Sequence, residues 1–234
     1  MVFGCDRVGF WGMIFFFKQN AMSCCDCNFY NDAFDAKTAL AELKDFRKNG
    51  PKKNSLPLIN SLKKLDLKNA TLLDIGGGVG AIIFELVDKG ITHAFYTDFS
   101  DAYHAAFLEE VKIRNLENVI KSYIGDFLET HKNIEKADLV TLDKVICCYK
   151  NYEELVQLSV QKTSKWYAYS IPRDVWWVKW VHLLKEKIDF LKGDTFRTYV
   201  HPAGKIENLV ITNGFKKIHE SKKREWQTVI FEKN

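Results

Sequence analysis

The run Leu72-Leu73-Asp74-Ile75-Gly76-Gly77-Gly78-Val79-Gly80 constrains this chain more than any other stretch. Its apolar residues suit a short buried strand, with Asp74 near the end. A glycine-rich turn follows, and a helix is expected from about Val79. Glycine lets a backbone turn sharply and approach a ligand where a Cβ would collide. The first turn of a helix also carries unpaired N–H groups at its positive end. Together these features predict a nucleotide-sized cradle holding one acid.

The rest of the chain alternates in the same sense. Ala36, Leu40, Leu43 and Phe46 recur at helical spacing before the stop at Gly50-Pro51. A second helix is expected at about 55–65, with Ser55 as cap, Pro57 in its first turn and Leu58, Ile59, Leu62 and Leu65 on its apolar face. Strands are expected at about 71–75, 92–97, 119–124, 137–142 and 166–171. The segments between them have room for helices, which implies a mainly parallel sheet with right-handed crossovers. Strands at about 215–220 and 225–231 lack room for a helix between them and must pair antiparallel.

In such a sheet, ligands bind beyond the carboxyl ends of the strands. Four acids occupy those ends: Asp74, Asp98, Asp126 and Asp143. Asp98 is placed to accept both hydroxyls of a ribose, its alternative being to cap the next helix. Asp126 is placed to accept from an adenine amino group, to cap a helix, or both. Phe127 follows Asp126 as a ring to pack on the base, and Phe99 follows Asp98. Gly76-Gly77-Gly78-Val79-Gly80-Ala81 also satisfies the dinucleotide fingerprint G-x-G-x-x-G/A. An acid as close as Asp74 would repel a pyrophosphate.

D-x-G-x-G-x-G after a buried strand resembles the first motif of the class I, Rossmann-like methyltransferases, and the resemblance covers about residues 35–231. It implies an α/β fold with a mainly parallel seven-stranded sheet, a terminal antiparallel hairpin and an N-terminal helical arm. It implies S-adenosylmethionine as cofactor, with Asp74, Gly76, Gly78, Gly80, Asp98, Phe99, Asp126, Phe127 and Asp143 around it. The reaction implied is in-line methyl transfer to a small, planar or apolar molecule. Asp143 resembles the fourth motif, which faces the methyl group. The 142–149 stretch, the arm and Phe196-Arg197-Thr198-Tyr199-Val200-His201-Pro202 look more loosely like the branch near magnesium-protoporphyrin O-methyltransferases. Members of that branch tend to carry a histidine where this chain has Cys147-Cys148. Tyr149 and His201 are the polar candidates for a general base or a substrate contact. The alternatives are a non-catalytic cofactor-binding or metal-sensing protein, or a nicotinamide oxidoreductase.

Composition bounds the partners. With 34 basic and 30 acidic residues the net charge is +4, too mild to point to nucleic acid. Lys222-Lys223-Arg224 reads as an exposed turn. Trp176, Trp177 and Trp180, followed by Leu183, Leu184 and Ile188, lie on a helix expected to pack on the sheet edge. The other readings of that helix are an aromatic lid over a substrate and a membrane-surface helix beside Arg173, Lys179 and Lys185. The six cysteines are Cys5, Cys24, Cys25, Cys27, Cys147 and Cys148. Adjacent thiols of this kind do not suggest a secreted disulfide framework, so a reducing cytoplasm is expected. Ordinary buried thiols are expected, the alternative being that five of them meet at a soft metal.

The apolar run Val8 to Phe17 is too short to span a bilayer as a helix. Residues 1–21 are expected to be a weakly ordered extension or a start assigned too early. Residues 22–234 are expected to form one domain, with a helical arm over 22–69 and a core over 70–234. A chain beginning at Met22 is therefore expected to bind S-adenosylmethionine as tightly as the full chain, measured by calorimetry. A large loss of affinity on that truncation would place a cofactor contact ahead of Asp74.

Overall fold

The computed structural model describes residues 35–191 and 197–234. The expectations for Val8 to Phe17, Cys5, Cys24, Cys25, Cys27 and Phe196 lie outside the described residues. Two helices come first, α1 (Ala36–Asn49) and α2 (Leu56–Leu62). The core follows as β1 (Thr71–Ile75), α3 (Ala81–Val87), β2 (His93–Asp98), α4 (Asp101–Ile113), β3 (Ile120–Ile124), α5 (Phe127–Thr130) and β4 (Ala137–Asp143). The chain then runs through α6 (Tyr152–Gln161), β5 (Thr163–Pro172), α7 (Trp176–Leu191), α8 (Ala203–Thr212), β6 (Phe215–Lys223) and β7 (Trp226–Lys233).

The seven strands form one sheet in the order β3-β2-β1-β4-β5-β7-β6. β1 to β5 are parallel, and β7 runs antiparallel to both β5 and β6. The chain direction across the sheet reverses between β1 and β4, which opens a crevice at their carboxyl ends. Alternate residues of each strand serve opposite faces. Leu72, Ala94, Tyr96 and Leu139 pack with α1 to α4, whereas Leu73, Phe95, Val140 and Leu142 pack with α6 and α8.

Several local expectations shift. α1 buries Ala39, Leu43 and Phe46, while Leu40 stays exposed, so its packed face is turned from the one centred on Ala36 and Leu40. α3 starts at Ala81 rather than Val79 because Gly80 holds φ +83, a left-handed conformation outside the helix. A Cβ there would also lie 2.5 Å from the Phe107 ring. The tryptophan helix does not bury its aromatic face on the sheet edge. Trp176 and Trp180 are 76% and 62% exposed, and Val178 is buried. Among the described residues, no helix is long and apolar enough to cross a membrane.

The arm is pinned by charge as well as by apolar contact. Glu110 on α4 is buried and accepts from Arg47 Nε on α1 and Arg114 Nε, each at 2.7 Å. The Arg114 guanidinium lies 4.7 Å from the Phe84 ring centroid, which helps hold it in place. Burial disfavours ionised Glu110, but the two arginines outweigh it and its pKa is lowered. Its contribution to stability is thus full above the unfolded carboxylate value of about 4.3 and disappears as pH falls through the lowered folded value. Glu110→Gln is expected to cost about 1–3 kcal/mol at neutral pH, with the gap from the parent closing in acid. Chemical denaturation at both pH values checks this, and a pH-independent gap would contradict it.

Candidate functional site

A cavity of about 510 Å³ opens at the carboxyl ends of the strands, where the sheet order reverses. The glycine turn forms its floor. Gly76 N–H donates to Thr97 O at 2.8 Å, and Gly80 N–H donates to Gly77 O at 2.9 Å. A Cβ on Gly76, which holds φ +64, would lie 2.4 Å from Val145 Cγ2. Any other residue there would be strained at that φ and would have to displace the Val145 side chain. β2 fixes the middle of the turn from both sides. Asp98 Oδ2 accepts from Gly78 N–H at 2.9 Å, and the Tyr96 hydroxyl donates to Gly78 O at 2.7 Å.

Asp98 does not cap α4. Ser100 does, by accepting from Tyr103 N–H, while Asp98 Oδ1 accepts from Ser100 N–H at 2.9 Å. Burial raises the pKa of Asp98, and the N–H groups of Ser100, Gly78 and Phe99 oppose that rise. Asp126 does two things at once. It caps α5 by accepting from Leu128 N–H, and it accepts from the Tyr149 hydroxyl at 2.8 Å. Phe99 is half-exposed on the cavity wall, whereas Phe127 is buried in the core and lines the cavity beside it.

Asp74 is 1% exposed. Its Oδ1 accepts from Thr141 Oγ1 at 2.6 Å, and its Oδ2 has no hydrogen-bond partner among the described residues. Burial pushes its pKa up to about 7, opposed by the Thr141 hydrogen bond and reinforced by Asp143 and Asp98. Asp143 Oδ1 is likewise buried without a partner among the described residues. Its Oδ2 accepts from Ser55 Oγ at 2.6 Å and lies 3.2 Å from Lys144 Nζ. Ser55 therefore spends its hydroxyl on the site instead of capping α2.

Lys144 holds φ +65, a strained conformation for a residue with a side chain. Its ammonium donates to Ser55 Oγ at 2.7 Å and Asn54 Oδ1 at 3.2 Å, tying the arm to the end of β4. The arm also reaches the cavity through Glu42, which accepts from the Tyr103 hydroxyl at 2.7 Å and pairs with Lys52. Residues from the arm, Lys144, and Lys185, Thr198 and Trp226 complete the lining. Sequence reading missed these, because none sits in a local pattern. Only the position of Lys144, directly after a strand-end acid, offered a signal.

The expected site residues Asp74, Gly76, Gly78, Asp98, Phe99, Asp126, Phe127, Asp143 and Tyr149 all line this cavity. Gly80 does not, and acts on the backbone path instead. His201 also lies outside the lining. Its Nε2 donates to Tyr149 O at 2.9 Å, and its ring packs on Tyr152 with centroids 4.2 Å apart. It braces the Tyr149 backbone, and burial lowers its pKa. Cys147 and Cys148 line the cavity, and no cluster of three or more potential metal ligands occurs among the described residues.

The lining carries six carboxylates, Glu42, Asp45, Asp74, Asp98, Asp126 and Asp143, against three lysines, Lys52, Lys144 and Lys185. That balance suits a cationic ligand and opposes a pyrophosphate. The unsatisfied oxygens of Asp74 and Asp143 fit a ligand that brings hydrogen-bond donors.

No protein-family model matches the chain, and no curated protein matches it. Solved structures do. Magnesium protoporphyrin IX methyltransferase from Synechocystis PCC 6803, with bound S-adenosylhomocysteine, is similar with a TM-score of 0.67 at 16% identity, covering 89% of this chain and 98% of that one. An O-methyltransferase family protein from Burkholderia thailandensis has a TM-score of 0.64 at 14% identity, covering 88% and 61%. An S-adenosylmethionine-dependent methyltransferase from Mesorhizobium loti has a TM-score of 0.61 at 13% identity, covering 77% and 98%. The chain has the class I, Rossmann-like methyltransferase fold.

A raised carboxyl pKa has a sign opposite to that of Glu110. Between the unfolded value of about 3.9 and the folded value, the unfolded chain gives up a proton that folded Asp74 retains, so stability falls as pH rises. Asp74→Asn is therefore expected to raise the melting temperature of the ligand-free protein more at pH 8 than at pH 5. An equal shift at both pH values would show that Asp74 is not held protonated by burial.

Proposed function

We propose that this chain is an S-adenosylmethionine-dependent methyltransferase acting on a small molecule. The observation that carries the reading is the acid-rich cavity at the strand ends, with buried Asp74 and Asp143 oxygens left unsatisfied beside the glycine turn. The cofactor's amino-acid part carries two positive groups, a sulfonium and an ammonium, against one carboxylate, and its sulfonium supplies the reactive methyl. Asp74 would accept from the ammonium. Its pKa of about 7 then falls on binding, because a cation beside a buried carboxyl favours the charged form. Asp98, already holding the Gly78 backbone, would accept from the ribose hydroxyls. Asp126 and Phe99 would receive the base, one through its carboxylate and the other through its ring face.

The chain's part in the reaction is placement and exclusion of water. Glu42, Asn54 and Ser55 on the arm close one wall of the cavity, and Lys144 fastens Asn54 and Ser55 to β4. Holding an acceptor atom in line with the methyl group supplies much of the acceleration. The buried Asp143 oxygen is the group on hand to take that acceptor's proton, and the Tyr149 hydroxyl, which donates to Asp126, would help orient the acceptor. His201 would act through Tyr149, as a positioning residue, by fixing its backbone.

The fold and the cavity charge together favour this reading over nicotinamide chemistry. Calorimetry is expected to give micromolar binding of S-adenosylmethionine or S-adenosylhomocysteine, about −8 kcal/mol. Asp98→Ala is expected to weaken it by about 1.5–3 kcal/mol while the fold survives. Binding of NADH without S-adenosylmethionine would overturn the proposal. Unchanged affinity in Asp98→Ala would remove Asp98 from the ribose. Binding without turnover on any acceptor would favour a non-catalytic cofactor-binding protein.

A further inference from the structure

Two thiols stand side by side where the cavity passes beyond Asp143. Cys147 and Cys148 lie on a single 3₁₀ turn, Ile146–Cys148. Both Sγ atoms approach the same acceptor, Lys144 O, at 3.2 and 3.5 Å, and the Cys147 thiol is hydrogen-bonded with that of Cys148. Neither is in a disulfide. Both line the cavity, with Cys147 buried and Cys148 partly exposed. The backbone beneath them is held in place: Cys148 N–H donates to Val145 O at 2.8 Å, and Tyr199 N–H donates to Cys147 O at 2.7 Å. The proposed methyl transfer uses neither thiol.

We propose that Cys147 and Cys148 form a dithiol clamp that takes a trivalent, thiophilic organoarsenical of the type R–As=O on the Asp143 side of the cavity. Soft centres favour thiolate ligands. Zinc in a structural site asks for four ligands, and this pair supplies two. A trivalent arsenical needs only two sulfurs, because it brings its own carbon substituent. Val145, Tyr149 and Trp226 line the same cavity and give that substituent an apolar wall. The pre-set turn spares the entropy of bringing the two thiols together.

The step is balanced within these components. Two S–H bonds break and two As–S bonds form, and the arsenical oxygen leaves as water with both protons. Arsenic stays trivalent and nothing is oxidised. The partly exposed Cys148 is the first point of attack, and Cys147 closes the chelate. A hydrogen bond with Cys148, together with burial, pushes the Cys147 thiol up.

This inference goes beyond the methyltransferase reading and does not depend on it. The probe is phenylarsine oxide, applied to the full chain carrying Cys5→Ser, Cys24→Ser, Cys25→Ser and Cys27→Ser. Intact mass is expected to show one phenylarsenic group per chain. A chelate resists excess 2-mercaptoethanol and yields to dithiothreitol, whereas attachment to one thiol yields to both. Adding Cys147→Ser or Cys148→Ser is expected to abolish the resistant adduct. No resistant adduct in the starting protein, or its persistence in either single variant, would overturn the clamp. The starting protein keeps both Cys147 and Cys148, so its result stands even where a serine variant fails to fold. S-adenosylmethionine binding is read by calorimetry on the same samples. Binding retained without the adduct sinks the clamp alone, and an adduct without cofactor binding sinks the functional reading alone.

Discussion

The grip of β2 on Gly78 is the constraint from which the site follows. The Asp98 carboxylate holds the Gly78 N–H, and the Tyr96 hydroxyl holds its carbonyl. Both backbone groups of one glycine are thereby fixed by a neighbouring strand. The turn keeps its shape only if β1 and β2 keep their register, which places Asp74 opposite Tyr96. Tyr96 in turn stacks on Phe107 with ring centroids 3.8 Å apart, so α4 shares in the same anchor. A residue set to meet a ligand is also the one that shapes the loop beneath it. Cofactor affinity and local order are coupled at Asp98 for that reason.

The fold was legible because its signals are local. Apolar runs of strand length, glycine punctuation and the space between runs were enough to give a parallel sheet ending in an antiparallel hairpin. Errors arose where tertiary packing overrides pattern. Leu40 keeps helical spacing with Leu43, but α4 lies against the side marked by Ala39. β5 runs from Thr163 to Pro172, beyond its expected core of 166–171, because it is flanked on both sides and draws in the residues next to it. Trp176 and Trp180 of α7 have the composition of a packed face yet stand exposed.

The site divides in the same way. Each strand-end acid could be found because a strand, a turn and an acid are contiguous in sequence. The groups that close the cavity could not. Ser55 meets Asp143 across 88 positions, and Lys144 meets Asn54 across 90. Nothing near Ser55 distinguishes a helix cap from a hydroxyl committed to a distant carboxylate. His201 shows the converse. A histidine in the right segment reads as a polar candidate for the site, and its ring supports the Tyr149 backbone outside the cavity lining.

The central claim is that the buried acids at the strand ends receive a cationic, ribose-bearing cofactor. Asp74 carries a cost in the ligand-free protein, since burial holds its carboxyl against ionisation, and that cost makes sense if a ligand supplies the missing positive charge. A crystal structure of the protein grown with S-adenosylhomocysteine tests this most directly. The account predicts the ligand's amino group at Asp74, its ribose hydroxyls at Asp98 and its base between Phe99 and Asp126. Ligand bound away from Asp74 and Asp98, or absent at saturating concentration, would contradict it.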